Sequence, residues 1–145
     1  SIGLVKELND SGKYDSIRNK FAKMDKSKQG KEMQMLGAAP EYAVGSVHAV
    51  TEDGKVLIAS ATGSQLPAYV YGSKKVIWVV GTQKIVKNTD DGIKRIYEHT
   101  LPLESERAKK AYGVSGSFVA KLLLINKEFE KDRIHLIFVN ESIGY

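Results

Sequence analysis

Three loops beside predicted strands combine small residues with hydroxyl, amide and amino groups that could hold a ligand. The first loop follows the apolar run 56–59, the second follows 76–80, and a third, 112–117, precedes 121–125. Small residues let backbone N–H groups approach an anion, and ligands of open α/β sheets bind outside the carboxyl ends of the strands. The sequence therefore predicts a crevice lined by eight residues of the first two loops: Thr62, Gly63, Ser64, Gln65, Gly81, Thr82, Gln83 and Lys84.

In this interpretation, Lys84 supplies the positive charge for a carboxylate or phosphate group of the ligand. The alternative is purely structural, with Thr62 and Ser64 as turn and helix-capping residues. A structure can distinguish the two interpretations, because a shared ligand requires the two loops to lie close together and purely structural loops do not.

His48 and Glu52 are the two other side chains that could take part in chemistry. His48 is predicted to lie on a strand, four residues before Glu52 and close to the turn 52–54. Asp-Gly at 53–54 is typical of a hairpin turn, which explains Asp53 without a function. Glu52 is kept as a weak catalytic candidate, while His48 is better explained as a core or edge histidine. No other catalytic residue is identified, and whether the chain is an enzyme stays open.

Several classes of site are excluded by composition and spacing. The chain has no cysteine, which excludes disulfides, thiolate zinc sites, a cysteine nucleophile and an iron–sulfur cluster held by this chain. Its three histidines, at 48, 99 and 135, show no metal-binding spacing, so no metal site is expected. Neither a phosphate-binding P-loop nor the nucleophile elbow of serine hydrolases is present.

Helical patterns dominate residues 1–41 and strands alternate with helices after them. Helices are predicted at 2–8, 14–24, 28–38, 67–71, 89–99 and 104–112, and strands at 43–51, 55–59, 75–80, 121–125 and 134–139. The run 75–80 is apolar on both faces, which predicts a central strand covered by helices on each side. We expect one domain over 1–145, with a helical front segment (1–41) and an α/β core (42–145). Its fold class is α/β, a mixed sheet flanked by helices.

The net charge of +5 is confined to one stretch of the front segment. Residues 13–31 contain seven Lys or Arg against two Asp, which equals the excess of the whole chain. Because Tyr14, Ile17, Phe21 and Met24 form an apolar stripe there, we interpret the lysines as the solvated face of a docked helix. No nucleic-acid or membrane partner is expected, and the longest apolar run, 76–80, is too short to cross a bilayer. With no secretory signal at 1–10, a cytoplasmic location is expected.

Several segments closely resemble one protein family. These are GSVHAVTEDG (45–54), ASATGSQ (59–65) and WVVGTQKIV (78–86), together with the closing KLLLINKE and HLIFVNESIGY. Over about residues 1–145 the chain resembles a lactate-utilization (LUD) domain of the stand-alone bacterial type. The resemblance implies a fold of the phosphosugar-isomerase and CoA-transferase class, and a role around the oxidation of L-lactate to pyruvate.

The same resemblance implies partners and a longer fold. Partner proteins of the family carry iron–sulfur clusters, which this cysteine-free chain does not. Family members usually begin with a further helix–strand–helix unit, so the chain is expected to lack its first strand. The family has no agreed catalytic residues, and Glu52 does not match the CoA-transferase nucleophile pattern.

Two functions follow as expectations. The first is a small-molecule-binding subunit associated with lactate utilization, whose cofactor is unknown. The alternative is a non-catalytic assembly subunit with purely structural loops. A homo-oligomer is compatible with either.

Overall fold

The N-terminal segment of the protein forms three helices that pack loosely. The computed structural model describes residues 3–145, so the predicted start of the first helix at Ile2 lies outside the described residues. The helices are α1 (Leu4–Asp10), α2 (Ile17–Phe21) and α3 (Lys26–Ala38), and no residue in them is buried. The predicted helix 14–24 is shorter than expected, although the Phe21 ring does lie against Gly37 of α3.

Within residues 3–145, seven strands form two sheets, which confirms the α/β class. They are β1 (Tyr42–Gly45), β2 (Ala49–Thr51), β3 (Val56–Ser60), β4 (Lys75–Gly81), β5 (Ile85–Val86), β6 (Lys121–Ile125) and β7 (Ile134–Val139). The first sheet has the order β1-β4-β7 and is parallel throughout. The second has the order β5-β2-β3-β6 and is mixed, because β2 pairs parallel to β5 while β3 pairs antiparallel to β2 and β6.

The single strand predicted over 43–51 is wrong, because the chain crosses from one sheet to the other within it. Residues 46–48 leave the ladder, so β1 and β2 belong to different sheets, and His48 lies in a bend directly before β2 rather than on a strand. Hydropathy is continuous through this run and carries no sign of the crossing. The predicted hairpin is confirmed, since Gly54 has φ 89° at the tip between β2 and β3.

The main core lies between the two sheets. Val76, Trp78 and Val80 of β4 are fully buried and belong to the same cluster as Val50 and Ile58 of the mixed sheet. This face of β4 therefore packs against a second sheet, and not against a helix as expected. Burial of each such side chain contributes about 1.5–3 kcal/mol to folding.

One continuous helical segment covers the outer face of the mixed sheet. It comprises α4 (Thr89–Arg95), a π-helical turn (Ile96–Thr100) and α5 (Leu101–Tyr112), so the two helices predicted around Pro102 are joined. The wider turn lies directly before Pro102, where a regular α-helix would be interrupted. His99 consequently lies inside a helical segment, whereas a helix C-terminus was expected.

Two smaller features complete the description. A π-helical turn, Ala68–Gly72, precedes β4 as predicted, and a 3-10 turn, Thr82–Lys84, follows it. In the described part of the chain, no helix is both long and apolar enough to cross a membrane.

Candidate functional site

A pocket of about 290 Å³ lies beside the carboxyl end of β3. The loop after β3 forms one wall, the helical segment after Ile96 forms another, and the approach to β6 a third. Its polar lining residues come from five separate parts of the chain: His48, Ser60, Thr62, Gln65, Thr100, Glu104, Ser117 and Tyr145.

The loop 60–65 is held in shape by its own side chains. Ser60 Oγ accepts a hydrogen bond from the Gly63 N–H (2.8 Å) and donates one to Gln65 Oε1 (3.0 Å). Thr62 Oγ1 accepts from the Ser64 N–H at 3.3 Å. Thr62 and Gln65 line the pocket, while Gly63 and Ser64 shape the loop behind them.

His48 lines the pocket as a neutral imidazole. Its Nδ1 accepts a hydrogen bond from the backbone N–H of Ala59 (3.1 Å), so the proton of the neutral ring is on Nε2. Burial, together with the positive charges of Lys84 and Arg95, lowers the pKa of His48 to about 4. His48 is therefore a hydrogen-bond donor without a charge at neutral pH.

Two cations lie behind His48 and hold the crossing 46–48. Arg95 Nη1 donates to the carbonyl oxygen of His48 (2.7 Å) and to Thr100 Oγ1 (3.0 Å). Lys84 Nζ donates to the carbonyl oxygen of Val47 (3.0 Å) and to Ser46 Oγ (3.2 Å). Within residues 3–145, neither cation forms an ion pair with a carboxylate.

The Lys84 ammonium is unusually placed for a lysine, since the residue is only 3% exposed. Burial, together with the neighbouring charge of Arg95, lowers its pKa to about 8. Buried charges are normally paired, so two cations that contact only neutral groups create positive potential at this side of the molecule.

Glu104 brings a negative charge to the pocket that Arg107 largely compensates. Arg107 donates two hydrogen bonds to the Glu104 carboxylate, each 2.7 Å long. This pairing lowers the pKa of Glu104 and keeps it ionised. The Tyr145 hydroxyl donates a long hydrogen bond, 3.5 Å, to the same carboxylate.

The second predicted loop does not line this pocket. Gly81, Thr82, Gln83 and Lys84 lie at the end of β4, and their partners include the segment that follows β7. Gln83 Nε2 donates to the carbonyl oxygens of Ile143 (3.0 Å) and Gly144 (3.3 Å). Because Tyr145 lines the pocket, residues 143–145 connect the two loops. The ligand-binding role of the eight predicted residues stays a prediction.

Glu52 belongs to a different part of the molecule. It lines a largely apolar cavity of about 420 Å³ that opens between the two sheets, together with Lys127 and Trp78. His48 and Glu52 therefore line separate cavities despite their spacing of four residues. No three His, Cys, Asp or Glu side chains cluster as metal ligands in residues 3–145.

Sequence reasoning missed the contribution of the helical segment and of Tyr145. Thr100 and Glu104 both line the pocket from the helical segment, and Arg95 contacts His48 from the preceding turn. The spacing of four residues between Thr100 and Glu104 on one helix was the available signal. Tyr145 carried no such signal, since its position depends on the path of an irregular segment.

The family model of the LUD domain matches residues 3–139, nearly the whole chain. The chain belongs to the LUD domain family. This family is associated in general with lactate utilization, and the resemblance of the GSVHAVTEDG, ASATGSQ and WVVGTQKIV segments to it is thereby confirmed. No curated protein and no solved structure matches this LUD domain. Its likeness to the phosphosugar-isomerase and CoA-transferase class stays a prediction.

Proposed function

We propose that this LUD domain is a subunit associated with lactate utilization that binds a small anionic molecule in the pocket around His48. The ligand carries a carboxylate or phosphate group, and a 2-hydroxy or 2-oxo acid is the class that the family suggests. The observation that carries the proposal is the set of polar groups around one pocket. A neutral His48 and the hydroxyls of Ser60, Thr62 and Thr100 line it, with the charges of Lys84 and Arg95 behind.

The charges favour an anion over a cation. The carboxylate of Glu104 is compensated by Arg107, whereas the described residues offer Lys84 and Arg95 no carboxylate partner. Hydrogen bonds from neutral donors then orient the anion at little desolvation cost to the protein. The pocket of about 290 Å³ is also at the small end of ligand sites, which typically enclose roughly 300–1,000 Å³.

Thermal unfolding in the presence of single compounds tests this proposal. The panel contains L-lactate, pyruvate, nicotinamide cofactors, flavin and coenzyme A, with acetate as a control for nonspecific anion effects. A ligand at one hundred times its dissociation constant adds about 2.7 kcal/mol of stability, which is roughly 6–10 °C for a domain of this size. A shift with lactate or pyruvate that exceeds the acetate shift supports the proposal, and no shift with any compound contradicts it.

A specific observation also favours the assembly function. The outer face of the parallel sheet presents Tyr42 (58% exposed), Val44 (36%) and Ile137 (49%), which the helices of residues 3–145 leave exposed. Parallel sheets are normally covered on both faces. A partner subunit, including an iron–sulfur protein of the same pathway, would cover this face. Co-purification that Ile137→Lys abolishes, combined with no thermal shift from any compound, would support assembly over ligand binding.

A further inference from the structure

The segment 140–145 runs from the end of β7 past the second loop to the pocket. Asn140 Oδ1 lies 3.4 Å from Thr82 Oγ1, and Gln83 Nε2 contacts the backbone at Ile143 and Gly144. Tyr145 then enters the lining of the pocket beside Glu104. Residues 140–145 therefore contact the second loop along their course and reach the pocket of the first loop at Tyr145.

The same segment covers the amine of Lys84. Gly144 has φ 63°, a conformation that side-chain-bearing residues rarely adopt. A methyl group at Gly144 would lie 3.2 Å from Lys84 Nζ, so the glycine backbone sits directly on the ammonium group. The close approach explains how a lysine beside a turn is only 3% exposed.

Few interactions fasten the segment to the domain. Its polar contacts are the Gln83 amide, the Thr82 hydroxyl and the long Tyr145–Glu104 hydrogen bond. It belongs to no strand, and residues 140–142 and 144 are exposed. Segments with few buried apolar contacts open at lower free energy than sheets do.

We propose that residues 140–145 form a movable strap that covers Lys84 and makes Tyr145 one wall of the ligand site. When the strap lifts, the second loop and the Lys84 amine become continuous with the pocket around His48, so that an anion in the pocket can reach the ammonium group. This proposal rests on the proposed function for the identity of the ligand, but the movement of the strap is measurable without any ligand.

The test is the rate at which an amine-reactive ester acetylates Lys84 in the full chain at pH 8, read by peptide mass spectrometry. Lys94, which is exposed on α4, is the internal reference. Removal of the amide donor in Gln83→Ala releases both strap carbonyls, and we expect acetylation of Lys84 to accelerate about tenfold relative to Lys94. Gln34→Ala, an exposed site on α3, is the matched control and leaves the ratio unchanged.

A second variant distinguishes movement of the strap from a general loss of structure. Gly144→Ala is strained at its positive φ and places a methyl group against Lys84 Nζ, which displaces the strap while every side chain of the turn Thr82–Lys84 stays unchanged. It should also accelerate acetylation, with an unchanged midpoint of urea unfolding. The proposal is overturned if Lys84 in the wild type reacts as fast as Lys94, or if neither variant changes its rate.

The outcomes separate the strap from the proposed function. If lactate or pyruvate stabilises the protein while acetylation is unaltered in both variants, the movable strap is excluded and the ligand site is supported. If acetylation is accelerated but no compound stabilises the protein, the ligand site is excluded and the movable strap is supported.

Discussion

The backbone N–H of Ala59 donates a hydrogen bond of 3.1 Å to Nδ1 of His48. This contact joins the end of β3 to the crossing between the sheets, and it requires an unprotonated Nδ1. A protonated imidazole would lose the bond and would face Lys84 and Arg95, which both disfavour a third positive charge. The pocket is therefore built around the neutral form of His48.

Acidification is expected to destabilise the protein through His48. Its pKa is about 4 in the folded state and about 6.5 when unfolded, so the unfolded state binds more protons between these values. The contribution of His48 is complete above about pH 6.5 and is lost as the pH falls towards 4, with a total of about 3 kcal/mol. Urea unfolding at several pH values between 4.5 and 7 measures it.

His48→Asn is the informative variant, because the asparagine oxygen can still accept the Ala59 N–H but does not titrate. The free energy of unfolding of this variant should depend less steeply on pH than that of the wild type. His99→Asn, at an exposed position on the π-helical turn, should keep the wild-type slope. Equal slopes in the wild type and His48→Asn would contradict the assignment of a neutral His48.

Arg133 is expected to be the most important charged residue for stability. Its guanidinium is buried and donates to the carbonyl oxygens of Ser73 (3.0 Å) and Tyr69 (2.9 Å), while it pairs with Glu128 at 2.5 Å. Arg133→Met leaves these acceptors and a carboxylate without their partner, which typically costs about 3–5 kcal/mol. The midpoint of urea unfolding measures the loss.

Lys131→Met, two residues earlier and exposed, is the control for this substitution. Surface changes of this kind usually alter stability by less than about 0.5 kcal/mol. If Arg133→Met cost no more than Lys131→Met, the guanidinium would not anchor the π-helical turn Ala68–Gly72 to the start of β7.

The contrast between Arg133 and its neighbours shows what local patterns can predict. The bounds of β6 and β7 follow from their apolar runs, and the hairpin follows from Asp53-Gly54. The segment 127–133 contains six charged residues among seven, a pattern typical of an exposed loop, yet its last residue is buried. Its partners lie about 60 residues away along the chain, so no periodicity reports them.

The same limit applies to the site. Thr62 and Gln65 are predictable because small and polar residues follow a buried strand, and both line the pocket. His48 was noticed for its spacing to Glu52, although its actual neighbours are Ala59, Lys84 and Arg95. Which loops meet depends on the assignment of β3 and β4 to different sheets, and apolar runs do not reveal that assignment.

Alkaline conditions are expected to stabilise the protein through Lys84. Its pKa is about 8 when folded and about 10.5 when unfolded, so the unfolded state binds more protons between these values. Stability therefore rises as the pH increases from 8 towards 10.5, by about 3 kcal/mol in total. Lys84→Met should remove this rise between pH 7 and 9.5, while Lys87→Met, at an exposed position, should keep it.

Lys84→Met also tests the second role of the ammonium group. It leaves the carbonyl oxygen of Val47 without its donor, which costs about 1–3 kcal/mol, but it also removes a buried charge of similar cost, so at pH 7 we expect little net change in stability. A variant with unchanged pH dependence would show that the lysine is solvated in the folded state.

Thr62 and Thr82 provide a paired test of which loop binds the ligand. Thr62 lines the pocket, whereas the Thr82 hydroxyl contacts Asn140 in the strap. Valine has nearly the same shape as threonine but no hydroxyl, so each substitution removes one hydrogen-bonding group.

We expect Thr62→Val to weaken the binding of pyruvate or lactate by about fivefold to tenfold, as the loss of one hydrogen bond does. Calorimetric titration of both variants measures this change. Thr82→Val should bind with wild-type affinity, because the Thr82 hydroxyl does not line the pocket. Weaker binding in Thr82→Val alone would place the ligand on the second loop and contradict the pocket around His48.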